Sequence, residues 1–214
     1  MKKKLRIDFV SDVVCPWCAI GLHALQSALR GLEQELEVDL QFQPFELNPD
    51  MGPQGEPLVE HLQKKYGSTP EQVAAIHENI RQRGAAVGFT FGVGKRERIY
   101  NTFDAHRLLH WAHTQGRQQA LKLALLQAYF TDGENPSEHA LLVSKAASVG
   151  LDAEQARSVL SSGAYASEVR AQEQFYLRSG VHSVPAVIIN ERHLISGGQP
   201  PEVFAQALRQ IASA

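Results

Sequence analysis

The sequence has no apolar run of membrane length, no surplus of either charge and almost no cysteine. A spanning helix needs about 20 consecutive apolar residues; polar side chains interrupt every hydrophobic stretch here well before that. No membrane partner is expected. Lys and Arg number 21 against 23 Asp and Glu, a formal charge of −2, so the chain lacks the cationic excess that holds a polyanion by counterion release. Nucleic acid is not expected either. Met1 to Arg6 is basic like the start of a secretion signal, but Arg6 and Asp8 interrupt the apolar residues beyond it and no signal-length apolar segment appears. That reading predicts a cytoplasmic protein.

The two cysteines, Cys15 and Cys18, lie three residues apart. Two cannot make a disulfide framework, and a closed zinc site needs four ligands, usually with a second ligand pair. A bridge closing so short a loop constrains the unfolded chain by only about 2 kcal/mol, a weak structural staple. What remains is redox chemistry with no metal. The composition, 43% hydrophobic and 21% charged over 214 residues, is that of a globular chain able to bury one core plus an insertion.

Leu5, Ile7 and Phe9 alternate with Arg6 and Asp8, which is strand periodicity. From Cys18, apolar residues recur at Leu22, Leu25, Leu29 and Leu32, one stripe of a helix ending near Gly31. Val38, Leu40 and Phe42 alternate again, completing a βαβ unit. From Pro57 to about Ser162 the pattern is helical, without strand signals. Thr69-Pro70 with Gln72, Asn135-Pro136 and Asp152-Ala153 read as helix starts. Predicted helices fall near 58–66, 70–87, 102–115, 117–131, 136–149 and 153–161. A helix over 165–179 follows, then Ala186 to Ile189 and His193 to Ser196 flank a polar turn as a β-hairpin. The final helix buries Val203, Phe204, Ala207, Leu208 and Ile211. The order β-α-β, α, β-β-α is that of a thioredoxin core. The predicted class is α/β, a thioredoxin-like fold with an inserted all-helical domain: residues 1–55 and 164–214 form the discontinuous core domain and 56–163 the insertion.

Cys15-Pro16-Trp17-Cys18 stands where the first strand meets the first helix. Pro16 suits the first helical turn, which makes Cys15 the cap residue. Its sulfur then faces unpaired amides and the positive end of the helix dipole, both of which favour thiolate. Cys15 is thus the expected nucleophile at an exposed tip, its pKa lowered mainly by the helix end, with Cys18 shielded one turn on as the resolving thiol. Asp12 is placed to oppose ionisation of Cys15.

Asp8 through Cys18, Asn101-Thr102, Ala105 to Leu108, Val184-Pro185 and Ser196 to Gln199 together resemble the DsbA family, and within it the FrnE-like oxidoreductases. The resemblance implies disulfide exchange with a disulfide- or dithiol-bearing protein or small molecule, and no resident cofactor. It also implies a cis Val184-Pro185 bond beside the cysteines, with the Val184 backbone pairing with an extended substrate and Pro16 and Trp17 contacting it. A related branch, the hydroxychromene-carboxylate isomerases and kappa-class glutathione transferases, generally carries serine at the position of Cys15 and activates glutathione. The shared stretch from Asn101 to Leu108 keeps glutathione open as a redox co-substrate and a glutathione-dependent isomerase or transferase as the alternative activity. Oligomeric state and the direction of electron flow are left open.

His106, His110 and His113 share a helix face with Phe103; with no carboxylate there they read as cleft-lining side chains rather than metal ligands, His106 being the candidate to line a substrate cleft. Lys95, Arg96 and Arg98 form a small basic run suited to a carboxylate or to solvent.

Overall fold

The computed structural model describes residues 2–52 and 54–213. Strand β1 (Lys3–Ser11) runs into helix α1 (Pro16–Arg30), and β2 (Leu36–Pro44) returns parallel to β1. At the far end of the chain β5 (Ala186–Ile189) pairs antiparallel with β1, β6 (His193–Ser196) pairs with β5, and α9 (Pro201–Ser213) closes the fold. The sheet order is β2-β1-β5-β6. This is the predicted thioredoxin-like arrangement, with helices inserted after its second strand.

From Ile7 onward central β1 is buried on both faces, each packed against its own apolar cluster. Ile7 and Phe9 face a core that includes Leu22, Leu25, Phe204 and Leu208 from α1 and α9, whereas Val10 joins Phe45, Tyr176, Val181 and Ala186 on the other side. The last helix is less deeply sunk than predicted. Phe204 and Leu208 are fully covered, but Val203 is exposed.

The insertion comprises α2 (Leu58–Tyr66), α3 (Pro70–Ala86), α4 (Phe103–Thr114), α5 (Gln118–Gln127), α6 (His139–Ser148) and α7 (Ala153–Ser162), followed by α8 (Ala166–Arg178). The start of α3 is a reciprocal cap: Thr69 Oγ1 accepts from the Gln72 amide while Gln72 accepts from the Thr69 amide. Asp152 caps α7 in the same sense, accepting from the Gln155 amide.

Three details correct the sequence reading. Asn135 does not cap α6; its side chain accepts from the Ser137 amide in an Asx turn, and the helix opens only at His139. After Gln127 the backbone widens into a single π turn over Ala128–Asp132. Within the helical stretch, β3 (Glu56–Pro57) and β4 (Arg98–Ile99) form an antiparallel ribbon whose two-residue strands are too short to show a period.

One side chain fastens the insertion to the sheet. Gln118, at the start of α5, accepts from the Phe42 amide and donates to the Phe42 carbonyl, both at 2.9 Å. Edge strand β2 is thereby covered by a side chain that imitates a neighbouring strand.

Candidate active site

Cys15 is the residue that caps α1, and Pro16 occupies the first turn as the sequence predicted. The two thiols are unpaired. Their burial corrects one expectation: Cys15 is 3% exposed, not an open tip, and Cys18 is fully covered. The cover over Cys15 is the loop bearing the cis Val184-Pro185 bond; the thiol donates to the Val184 carbonyl at 3.6 Å.

The electrostatics separate the pair. The neighbouring Cys18 thiol is the largest influence lowering the Cys15 pKa. Burial opposes it, the Cys18 amide adds to it, the charge of Asp12 opposes it and the Trp17 amide adds again. Helix-end amides thus contribute without being the main cause, and neither makes a capping hydrogen bond to the sulfur. The Cys18 thiol is pushed well above the ordinary range, first by burial and then by the neighbouring Cys15 sulfur. Two chemically identical groups are left with distinct acidities, which is what a division of labour between attack and resolution requires.

Around the sulfurs, Trp17 is half-buried, and Arg83 of α3 lies 5.4 Å above its ring. The indole therefore packs between core and insertion as well as flanking Cys15. Gly21 lets the second loop come close: a Cβ there would stand 3.1 Å from Pro185 Cγ and 3.2 Å from Gly198 Cα. The Val184-Pro185 and Gly197-Gly198 segments both rest against α1 for that reason.

Beneath the cysteines lies a buried polar cluster that the sequence reading only partly anticipated. Asp12 accepts from the Leu47 amide at 2.8 Å and the Val14 amide at 3.4 Å, and its carboxylate stands 3.5 Å from His106 Nε2. Burial alone would raise the Asp12 pKa, but His106 and the Leu47 amide hold it below the usual range. His106, expected on a cleft wall, is 3% exposed. With Lys122 it borders a polar cavity of about 50 Å³, room for a water molecule or two and too small for a substrate. His110, stacked on Tyr165, and His113 line the same cavity. Among the described residues no three His, Cys, Asp or Glu side chains converge to hold a metal.

Lys122 was missed. It is 1% exposed on α5, and its charge favours ionisation of both Cys18 and Asp12. Glu46, Arg170 and Glu173 were missed as well: Arg170 bridges the two carboxylates and lies 3.8 Å above the Phe103 ring. The only available signal was a charged residue at a position a neighbouring apolar period would bury.

Comparison with known proteins agrees with this geometry. The family described as the DSBA-like thioredoxin domain matches residues 6–209. The chain is 37% identical to a probable DsbA oxidoreductase of Streptomyces coelicolor, with a TM-score of 0.90 over 96% of this chain and 89% of that one. It is 27% identical to the protein YwbO of Bacillus subtilis over 95% of this chain and 96% of that protein. A cytosolic disulfide reductase of Pseudomonas aeruginosa, DsbM, shares the fold at 16% identity and a TM-score of 0.69, covering 98% of this chain and all 100% of that one, in a structure with GSH. With sheet order, insertion and paired sulfurs all lying within the matched span, the chain belongs to the DsbA-like thiol-disulfide oxidoreductase family.

Proposed function

We propose that the protein exchanges disulfides through its Cys-Pro-Trp-Cys motif, with Cys15 attacking and Cys18 resolving. The observation that carries this is the placement of Cys15 as the residue capping α1 with the fully buried Cys18 one turn on, surroundings that lower one pKa and raise the other. In the reductive direction the Cys15 thiolate attacks a substrate disulfide, forms a mixed disulfide and expels a substrate thiolate. Cys18 then loses its proton, attacks Cys15, and releases the second substrate thiolate as the Cys15–Cys18 bond forms. Two electrons leave the protein for the substrate, and the reverse sequence oxidises a dithiol.

Val184 and Pro185 line the approach to Cys15, and the Val184 carbonyl that now takes the thiol hydrogen bond is freed when substrate arrives. Pro16 and Trp17 complete the contact surface. His106 acts on this reading through Asp12 rather than on substrate. Residues 1–55 with 164–214 serve as the redox unit, and 56–163 as the helical unit laid against it. No resident cofactor is required; glutathione is the proposed redox co-substrate, supported by the relative whose structure holds GSH. A cytoplasmic location fits that role.

The test is turnover of a protein disulfide and of glutathione disulfide by Cys15→Ser and Cys18→Ala. Cys15→Ser should abolish both, and Cys18→Ala should accumulate a mixed disulfide on Cys15. Turnover that survives Cys18→Ala with saturable glutathione would instead support the isomerase or transferase alternative.

A further inference from the structure

The insertion contains a second cavity, of about 330 Å³, none of whose walls belongs to the cysteine site. That volume falls in the range of small-molecule pockets. Its floor is aromatic and aliphatic: Phe91, Phe130 and Ile80, with the latter two buried. The floor is built by a close approach, since a Cβ at Gly84 would come within 2.5 Å of the Phe91 ring. Val93, at 84% exposure between Gly92 and Gly94, forms an apolar lip.

Three charged side chains line the cavity, and two of them cancel. Arg81 donates twice to Glu78, from Nε at 2.9 Å and Nη2 at 2.7 Å. Arg96 is different. Its guanidinium lies 5.4 Å from the Tyr129 ring centre and 5.3 Å from that of Phe130, and its Nε donates to the Tyr129 hydroxyl at 3.0 Å. Among the described residues no carboxylate pairs with it. Its other side-chain N–H groups have no protein acceptor among the described residues. His77, also in the lining, has its Nε2 buried and without a hydrogen-bond partner among the described residues.

From this arrangement we propose that the insertion binds a small aromatic carboxylate, ring against Phe91 and Val93 and anionic group on Arg96. An aliphatic ligand would forgo the contact with the Phe91 ring, and a neutral one would leave the guanidinium without a counter-charge. Arg96 comes from the short basic run seen in the sequence; of that run, Arg98 is occupied with the Gln54 and Gly55 carbonyls. The site is separate from disulfide exchange, so the two readings fail independently.

The test is calorimetric titration with phenylpropionate, indoleacetate and naphthoate, each beside its uncharged amide. At least one carboxylate should bind saturably and roughly tenfold or more tightly than its amide. Arg96→Met, which keeps a long apolar stem over the rings, should abolish the carboxylate preference. Ala74→Trp, which fills the cavity from an exposed position on α3, should abolish binding of both forms. Disulfide turnover should be unchanged in both variants, which also reports that they fold. Equal binding of acid and amide, a preference that survives Arg96→Met, or no saturable binding by any of the three acids overturns the proposal.

Discussion

Asp12 Oδ1 stands 3.5 Å from His106 Nε2, and both side chains are closed to solvent. The pair joins the loop before α1 to the insertion helix α4, and through the Leu47 amide to the chain leaving β2. A charge held this close under the cysteines affects both folding and thiol chemistry.

Asp12→Asn keeps an oxygen for the Leu47 amide but removes the charge. Because that charge raises the Cys15 pKa, thiolate absorbance of the variant should titrate at lower pH than in the wild type. The Asp12 pKa is itself depressed in the folded state. Its contribution to stability is therefore complete above the ordinary carboxylate pKa and is lost as pH falls through the lower folded value. Urea unfolding of the variant should lack that acid-side decline, and its unfolding free energy at neutral pH should be lower by about 3 kcal/mol, the cost of stripping one partner from a buried pair. An unshifted Cys15 titration would show that Asp12 serves packing alone.

Glu46 has the opposite sign. Burial first, and the neighbouring charge of Glu173 second, raise it to about 7 despite Arg170. The folded protein thus binds this proton more tightly than the unfolded chain. The stabilisation is complete below the unfolded value, near 4.3, and is lost as pH climbs through about 7. Urea midpoints across that window should fall in the wild type and fall less in Glu46→Gln, which should be the more stable above neutrality by about 1–3 kcal/mol. Because Glu173 is also raised, some slope should remain. Identical slopes in both proteins would refute this account.

What the sequence made legible was whatever rests on local chemistry. The alternation of Leu5, Ile7 and Phe9, the leucine stripe of α1 and the Thr69 and Asp152 caps each declare themselves within a few residues, and the structure has them all. Cys15, Pro16 and Cys18 announced a helix start by spacing alone. Burial was not legible in the same way. The cover over Cys15 comes from Val184, 169 residues away, and His106 is buried because Asp12 waits on a different element. Lys122 and Glu46 differ in sequence from surface residues only in where a neighbouring apolar period would place them. Only the packing of the insertion on the sheet turns them inward.

Gly21→Ala separates stability from activity. Alanine in mid-helix is favoured over glycine by about 1 kcal/mol, and Gly21 has no left-handed backbone to strain. Against this, the new methyl would meet Pro185 Cγ at 3.1 Å and Gly198 Cα at 3.2 Å. The Gly198 backbone cannot swing aside as a flexible side chain would, so the loops over Cys15 must shift by a few tenths of an ångström. Thermal stability should stay within about 1 kcal/mol of the wild type, while kcat/KM for disulfide exchange falls several-fold. Exchange at the wild-type rate would mean that the loop position is not critical.

Lys122→Met distinguishes a working charge from a filler of the core. Methionine has nearly the same length and no charge, and replacing a buried ion with an apolar side chain is often neutral or stabilising. The folded variant should therefore be at least as stable as the wild type to within about 1 kcal/mol. The chemistry should suffer instead. The Lys122 charge acts against the burial that raises Cys18, so its loss should raise that thiol further and leave less thiolate to resolve the mixed disulfide. Rapid mixing followed by acid quench and alkylation should show the Cys15 mixed disulfide forming at a near-normal rate but decaying roughly tenfold more slowly, one pKa unit of lost ionisation being about 1.4 kcal/mol. The pH profile of the decay should move to higher pH, a displacement that a packing role would not produce. An unmoved profile with normal decay would leave Lys122 no part in resolution.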